Sequence, residues 1–169
     1  MLNSMKSVLA NERIKWVDPV NIHITLAFLG DTETKRIQDL AVILEKACTG
    51  FGQLAFSLTG TGLFKSGRDP RIIWTGIDNS GNLIKLNSKI TDELKKSSFV
   101  TDSKTYRPHL TIGRIKSVHD KDLLITTIER YRDMNLQLVK VTEITLFESV
   151  LKPSGPEYIT LRSISLVRK

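Results

Sequence analysis

An α+β fold is predicted for this chain by three observations. Short runs that alternate apolar and polar residues are mixed with segments whose apolar residues recur at helical spacing. The later strand-like runs of each half come as hairpin-like pairs rather than in strict βαβ order. The order strand, helix, two further strands also occurs twice, each time beginning at a run with a histidine inside it.

Each element has its own warrant. Leu2, Met5, Val8 and Leu9 recur at helical spacing, so an amphipathic helix is expected over residues 2 to 13. NIHITLAFL, residues 21 to 29, reads as a strand stopped by Gly30. Asp31 or Thr32 is expected to cap a helix to about Ala47, with Ile37, Leu40, Ile43 and Leu44 as its apolar stripe. QLAFSLTGTGLF (53 to 64) and RIIWTGI (71 to 77) are strands around the turn KSGRDP. NSGN leads into a helix bearing Leu83, Ile84, Leu86, Ile90 and Leu94. In the second half HLTIGRI (109 to 115) is a strand and residues 120 to 131 are a helix. LQLVKVTEITLFESVL (136 to 151) is one bent strand or two short ones, KPSGPEY a turn, and YITLRSISLV (158 to 167) a closing strand. SSFVTDSKTYRP (97 to 108) is a loop and not a linker, so residues 1 to 169 are expected to form one domain whose two similar halves set their histidine strands side by side.

Composition narrows the class. With 40% hydrophobic and 25% charged residues, the chain resembles ordinary globular proteins. A net charge of +7 suits an acidic partner such as nucleic acid, or only a solubilising surface. The cations are scattered, which argues against a basic arm that coats nucleic acid. Cys48 is alone, so no internal disulfide forms, a cysteine zinc site is excluded, and a reducing cytoplasm is the expected location. The first residues lack the apolar core of a signal peptide. The longest uncharged stretch, Ala47 to Phe64, is 18 residues but carries four glycines, so no membrane span is expected.

Two of the three histidines occupy one pattern: His23 and Thr25 in NIHITLAFLG, and His109 and Thr111 in RPHLTIGRI. Side chains alternate faces along a strand, so each His shares a face with its Thr, opposite an aliphatic row. Such a strand lines a wet cleft over a core. Two imidazoles at one pocket suit acid–base chemistry near neutral pH, and threonine hydroxyls donate to phosphate oxygens. Arg114 adds a planar cationic fork suited to phosphate. Simple alternation puts Arg114 on the core side, unless Gly113 kinks the strand or the strand ends there. A lone His-x-Thr means almost nothing; two copies in matching strands reverse that balance. Neither motif offers a third metal ligand at useful spacing, and His119 reads as a solvated loop residue.

These stretches resemble the 2H phosphoesterase superfamily, and within it the RNA 2′,3′-cyclic phosphodiesterase family, also called 2′-5′ RNA ligase. The resemblance is carried by KWVDPVNIHITLAFLGDT (15 to 32), LFKSGRDPRIIWTGI (63 to 77) and YRPHLTIGRI (106 to 115), with a weaker match at ITLFESVLKPSGPEYITL (144 to 161). It implies two pseudo-twofold-related lobes, each an antiparallel sheet with helices outside, and an active-site cleft between them. It implies catalytic His23 and His109, phosphate-binding Thr25, Thr111 and Arg114, and hydrolysis of RNA 2′,3′-cyclic phosphate ends to 2′-phosphates without metal or cofactor. His109 is assigned as base and His23 as acid. Reverse 2′-5′ ligation is open to the same site.

Further expectations concern partners and departures. The substrate is RNA with a cyclic phosphate end or a cyclic nucleotide, and the chain is expected to be a monomer. Phe64 and Tyr106 are candidates for stacking a base, whereas Trp74 reads more readily as core packing. The rivals are a different 2H phosphodiesterase (acting on 2′-5′ oligoadenylate, ADP-ribose cyclic phosphate or another cyclic nucleotide), a nonenzymatic RNA- or nucleotide-binding module, and a metal phosphodiesterase. Family members open with a short strand before the first helix. This chain starts at that helix, so one sheet edge is expected to be open or filled by something else.

Overall fold

Alternating runs become strands where a neighbour completes their backbone hydrogen bonds. In the computed structural model, which describes residues 1–101, 105–153 and 155–167, those strands are β1 Arg13–Trp16, β2 Leu54–Ser66, β3 Asp69–Asp78, β4 His109–Ser117, β5 Asn135–Val141, β6 Glu143–Lys152 and β7 Gly155–Ser165. The helices are α1 Leu2–Val8, α2 Ile37–Cys48, α3 Gly81–Lys96 and α4 Lys121–Glu129. The chain is α+β. One sheet has the order β1-β4-β3-β2-β5, and the other is the hairpin β6-β7. β1 and β4, β3 and β4, β2 and β3, and β6 and β7 all pair antiparallel.

Two compact units share the chain, and they are not its two halves. The first gathers residues 1–25, 56–79 and 108–139, and the second 26–55, 80–107 and 140–169. In the first, Met5 and Leu9 from α1 and its end meet Leu124 and Ile128 of α4 over Ile73, Ile112 and Ile115 of the sheet. Both helices therefore cover the same sheet face. In the second, α2 packs on α3 through Leu40, Leu44 and Cys48 against a row that includes Leu86, Ile90 and Leu94. Burial pushes the Cys48 thiol up to about 11, so it packs as an apolar group.

Several sequence expectations need correction. The first helix ends at Val8, and Arg13–Trp16 is a strand that periodicity missed. Its Ile14 and Trp16 pack on the core, while the buried Glu12 carboxylate accepts the His119 N–H at 2.6 Å and the Asp120 N–H at 3.0 Å. Tertiary contacts thus overrode the helical pattern. NIHITLAFL is not a strand: a 3-10 turn at Pro19–Asn21 precedes it and no ladder includes residues 22–30. The Leu26 carbonyl takes the Asn87 side-chain N–H at 2.7 Å. Neither Asp31 nor Thr32 caps α2, which follows a 3-10 turn at Thr34–Arg36. Residues 136–151 divide at Thr142 into strands of different sheets, and Ile84 is exposed on α3. Part of the expected loop at 97–108 lies outside the described residues.

A local charge cluster on the α2–α3 pair gives a testable acid response. The Glu93 carboxylate takes Lys46 at 2.5 Å and Lys96 at 2.8 Å, and these hydrogen-bonded ammonium groups lower it from 4.5 to about 2. A depressed carboxylate stabilises the fold above its unfolded value and loses that contribution as pH falls through the folded one. Glu93→Gln should therefore lose less Tm than the parent between about pH 4.5 and pH 2. Parallel Tm curves across that window would refute the coupling.

Candidate functional site

β4 carries the second motif, and its geometry depends on one extra residue. Thr111 pairs with Trp74 and Gly113 with Ile73, so two steps on β4 lie against one on β3. That is a β-bulge at Ile112, and one inserted residue switches which side chains share a face. Leu110 and Ile112 are buried before it, and Gly113 and Ile115 are buried after it. His109 and Thr111 are half-buried and Arg114 is exposed, all on the face turned away from α1 and α4. Gly113 permits this arrangement: a Cβ there would sit 3.2 Å from both Ile14 and Trp16. The kink left open in the sequence is thus present, and Arg114 is off the core side.

Aromatic rings complete this face. Phe64 pairs with Ile72 and Gly62 with Trp74, placing Phe64 and Trp74 beside Arg114 and Thr111 in the cross-strand rows. The Phe64 ring stands edge-on to His109 with centroids 4.8 Å apart, and lies 5.3 Å from Trp74. Trp74 is therefore no helix-side core residue. Its indole lies flat over Gly62, where a Cβ would come within 2.2 Å of Cζ2. Its buried Nε1 has no hydrogen-bond partner among the described residues. The sequence reading missed Gly62, whose pairing with Trp74 across the β2–β3 hairpin was the available signal.

His23 and Thr25 lie in the same unit, half-buried, on the extended segment after the 3-10 turn. The His23 Nδ1 is 2.7 Å from the Asn21 carbonyl oxygen. A carbonyl only accepts, so Nδ1 carries the hydrogen of that bond. Tyr106 belongs to the other unit, with its hydroxyl buried and lacking a hydrogen-bond partner among the described residues. Burial pushes that phenol well above its ordinary value, keeping it neutral. Among the described residues no group of three His, Cys, Asp or Glu could hold a metal ion, and no helix is long and apolar enough to cross a membrane.

A face with one His, its Thr and an Arg brought alongside by a bulge groups a proton-transfer side chain with two side chains able to donate to an anion. The model of the LigT-like phosphoesterases matches residues 1–74 and 77–158. This chain belongs to that family. It is 36% identical over 147 residues to an RNA 2′,3′-cyclic phosphodiesterase of Thermotoga maritima, covering 86% of this chain and 76% of the relative. It is 29% identical over 157 residues to an RNA 2′,3′-cyclic phosphodiesterase of Methanothermobacter thermautotrophicus, covering 93% and 85%. The fold matches a crystal structure of a Thermus thermophilus protein with a TM-score of 0.80 at 22% identity, covering 98% of this chain and 89% of that one. It also matches E. coli LigT complexed with 3′-AMP, with a TM-score of 0.75 at 20% identity, covering 99% and 91%.

Proposed function

We propose that this LigT-like phosphoesterase hydrolyses RNA 2′,3′-cyclic phosphate ends to 2′-phosphomonoesters by two-histidine acid–base catalysis. The observation that carries the reading is the bulged β4, which sets His109, Thr111 and Arg114 on one face. The names of the relatives give the substrate class. His109 takes a proton from water as its oxygen attacks phosphorus, opposite the 3′ oxygen. The P–O3′ bond breaks and the protonated His23 gives its Nε2 proton to that oxygen. Thr25, Thr111 and Arg114 hold the charge that builds on the non-bridging oxygens. The Phe64 ring lies beside His109, with Trp74 next to Phe64, and the two offer a stacking surface for the terminal base. With a 5′-hydroxyl in place of water, the same displacement forms a 2′-5′ linkage.

The test is turnover of adenosine 2′,3′-cyclic phosphate in excess EDTA, followed by phosphorus NMR. The expected product is the 2′-monophosphate, formed at the same rate with or without chelator. A rate that vanishes in EDTA and returns with a divalent ion would replace this mechanism with a metal-dependent one. The 3′-monophosphate as product would mean that the P–O2′ bond breaks instead.

A further inference from the structure

We propose that the sheet face beyond Arg114 is a track for the RNA strand on the 5′ side of the reacting phosphate, with Lys116 and Lys15 binding backbone phosphates there. The proposal rests on the cyclic phosphodiesterase reading and names the substrate as a strand end rather than a lone nucleotide. Lys116 is the next exposed residue of β4 after Arg114, with Ile115 buried between them, and it sits at a second register shift, against β1. Two residues along a strand span about 6.6 Å, comparable with the spacing of successive phosphates on an extended strand. Lys15 is exposed and pairs directly opposite Arg114.

Several cations elsewhere on the chain are held in ion pairs. Lys121 and Arg71, at the far end of the β2–β3 hairpin, share Asp69 at 3.3 and 3.9 Å. Arg162 takes Glu45 at 3.4 Å, and Lys46 and Lys96 take Glu93. Among the described residues neither Arg114 nor Lys116 has an ion pair. The cross-strand partners of Arg114 on β3 and β2 are Ile72 and Phe64, so no carboxylate shares that row. The face therefore combines an aromatic surface beside His109 with a basic strip leading away from it, the pairing of stacking and charge that single-stranded nucleic acid binds.

The experiment compares the parent with Lys15→Ala/Lys116→Ala and Lys15→Arg/Lys116→Arg on two substrates. One is a 2′,3′-cyclic mononucleotide and the other a short oligoribonucleotide ending in a 2′,3′-cyclic phosphate. In the alanine pair, KM for the oligomer should rise about tenfold with kcat kept, while mononucleotide kinetics change little. The slope of log kcat/KM against log salt for the oligomer should shrink by about 1.4, or about 0.7 for each backbone phosphate no longer neutralised. The arginine pair should restore both. An unchanged oligomer KM, an equal loss on both substrates, or a loss that arginine does not restore would overturn the track. If the parent turns over neither substrate, the hydrolytic reading fails separately. Anisotropy with a labelled oligoribonucleotide ending in a 2′-phosphate then decides the track by the same tenfold change in Kd.

Discussion

His23→Ala and His109→Ala should each lower kcat by at least about 10²-fold on a 2′,3′-cyclic nucleotide, the range for a lost proton-transfer group. The two act in one displacement, so the double variant should be little slower than the poorer single one. Neither substitution should unfold the chain. Both rings are half-buried, and the Asn21 carbonyl that loses its partner in His23→Ala follows an exposed turn where water can replace it. Thermal melts of the variants would therefore lie near the parent. The Nδ1–H bond of His23 adds a sharper expectation, because the proton proposed to move is the one on Nε2. His23→Gln, whose side-chain amide neither takes up nor releases a proton, should be as slow as His23→Ala. A single variant with near-parent turnover would remove that histidine from the reaction.

Arg114→Ala should cost about 10²–10³-fold in turnover, the scale for removing one preorganised donor to a developing oxyanion. Arg114→Lys should recover part of that rate, since lysine keeps the charge but not the planar two-point fork. Both variants should melt close to the parent because the side chain is exposed on the face away from α1 and α4. Inorganic phosphate should inhibit the parent and inhibit Arg114→Ala less. Loss of the fold in Arg114→Ala, with full rate in the folded remainder, would put the arginine on the helix-covered face. The phase switch at Ile112 would then be wrong, and the phosphate charge would have to be met by Thr25, Thr111 and a different cation.

The candidate site was suggested by residue identity more than by local pattern. His-x-Thr twice, with an Arg three residues after the second Thr, names the chemistry wherever the backbone goes. Pattern failed in two instructive places. NIHITLAFL alternates as well as HLTIGRI does, yet only the second has neighbours on both sides, in β1 and β3. The expected first helix runs to residue 13, but RIKW gains more by pairing with β4, while Glu12 just before it captures the start of α4. Trp74 was misassigned because an indole in a strand is most often a core residue, and the glycine opposite it was not weighed.

By itself the sequence determined the α+β class, the principal helices, the β2–β3 hairpin, and the functional groups on which the proposed chemistry draws. These are local properties: helical or strand period, turn chemistry, and functional groups suited to proton transfer and anion binding. Tertiary structure decided the rest. It decided which alternating run joined a ladder, because hydrogen bonds across strands need a partner that no run contains. It decided that two interleaved sets of segments, not two halves, form the compact units. It also decided the side on which Arg114 stands, because that depends on a count of residues on β4 against β3 across the bulge. Alternation along one strand is blind to that count, since an inserted residue changes the phase only relative to the neighbouring strand.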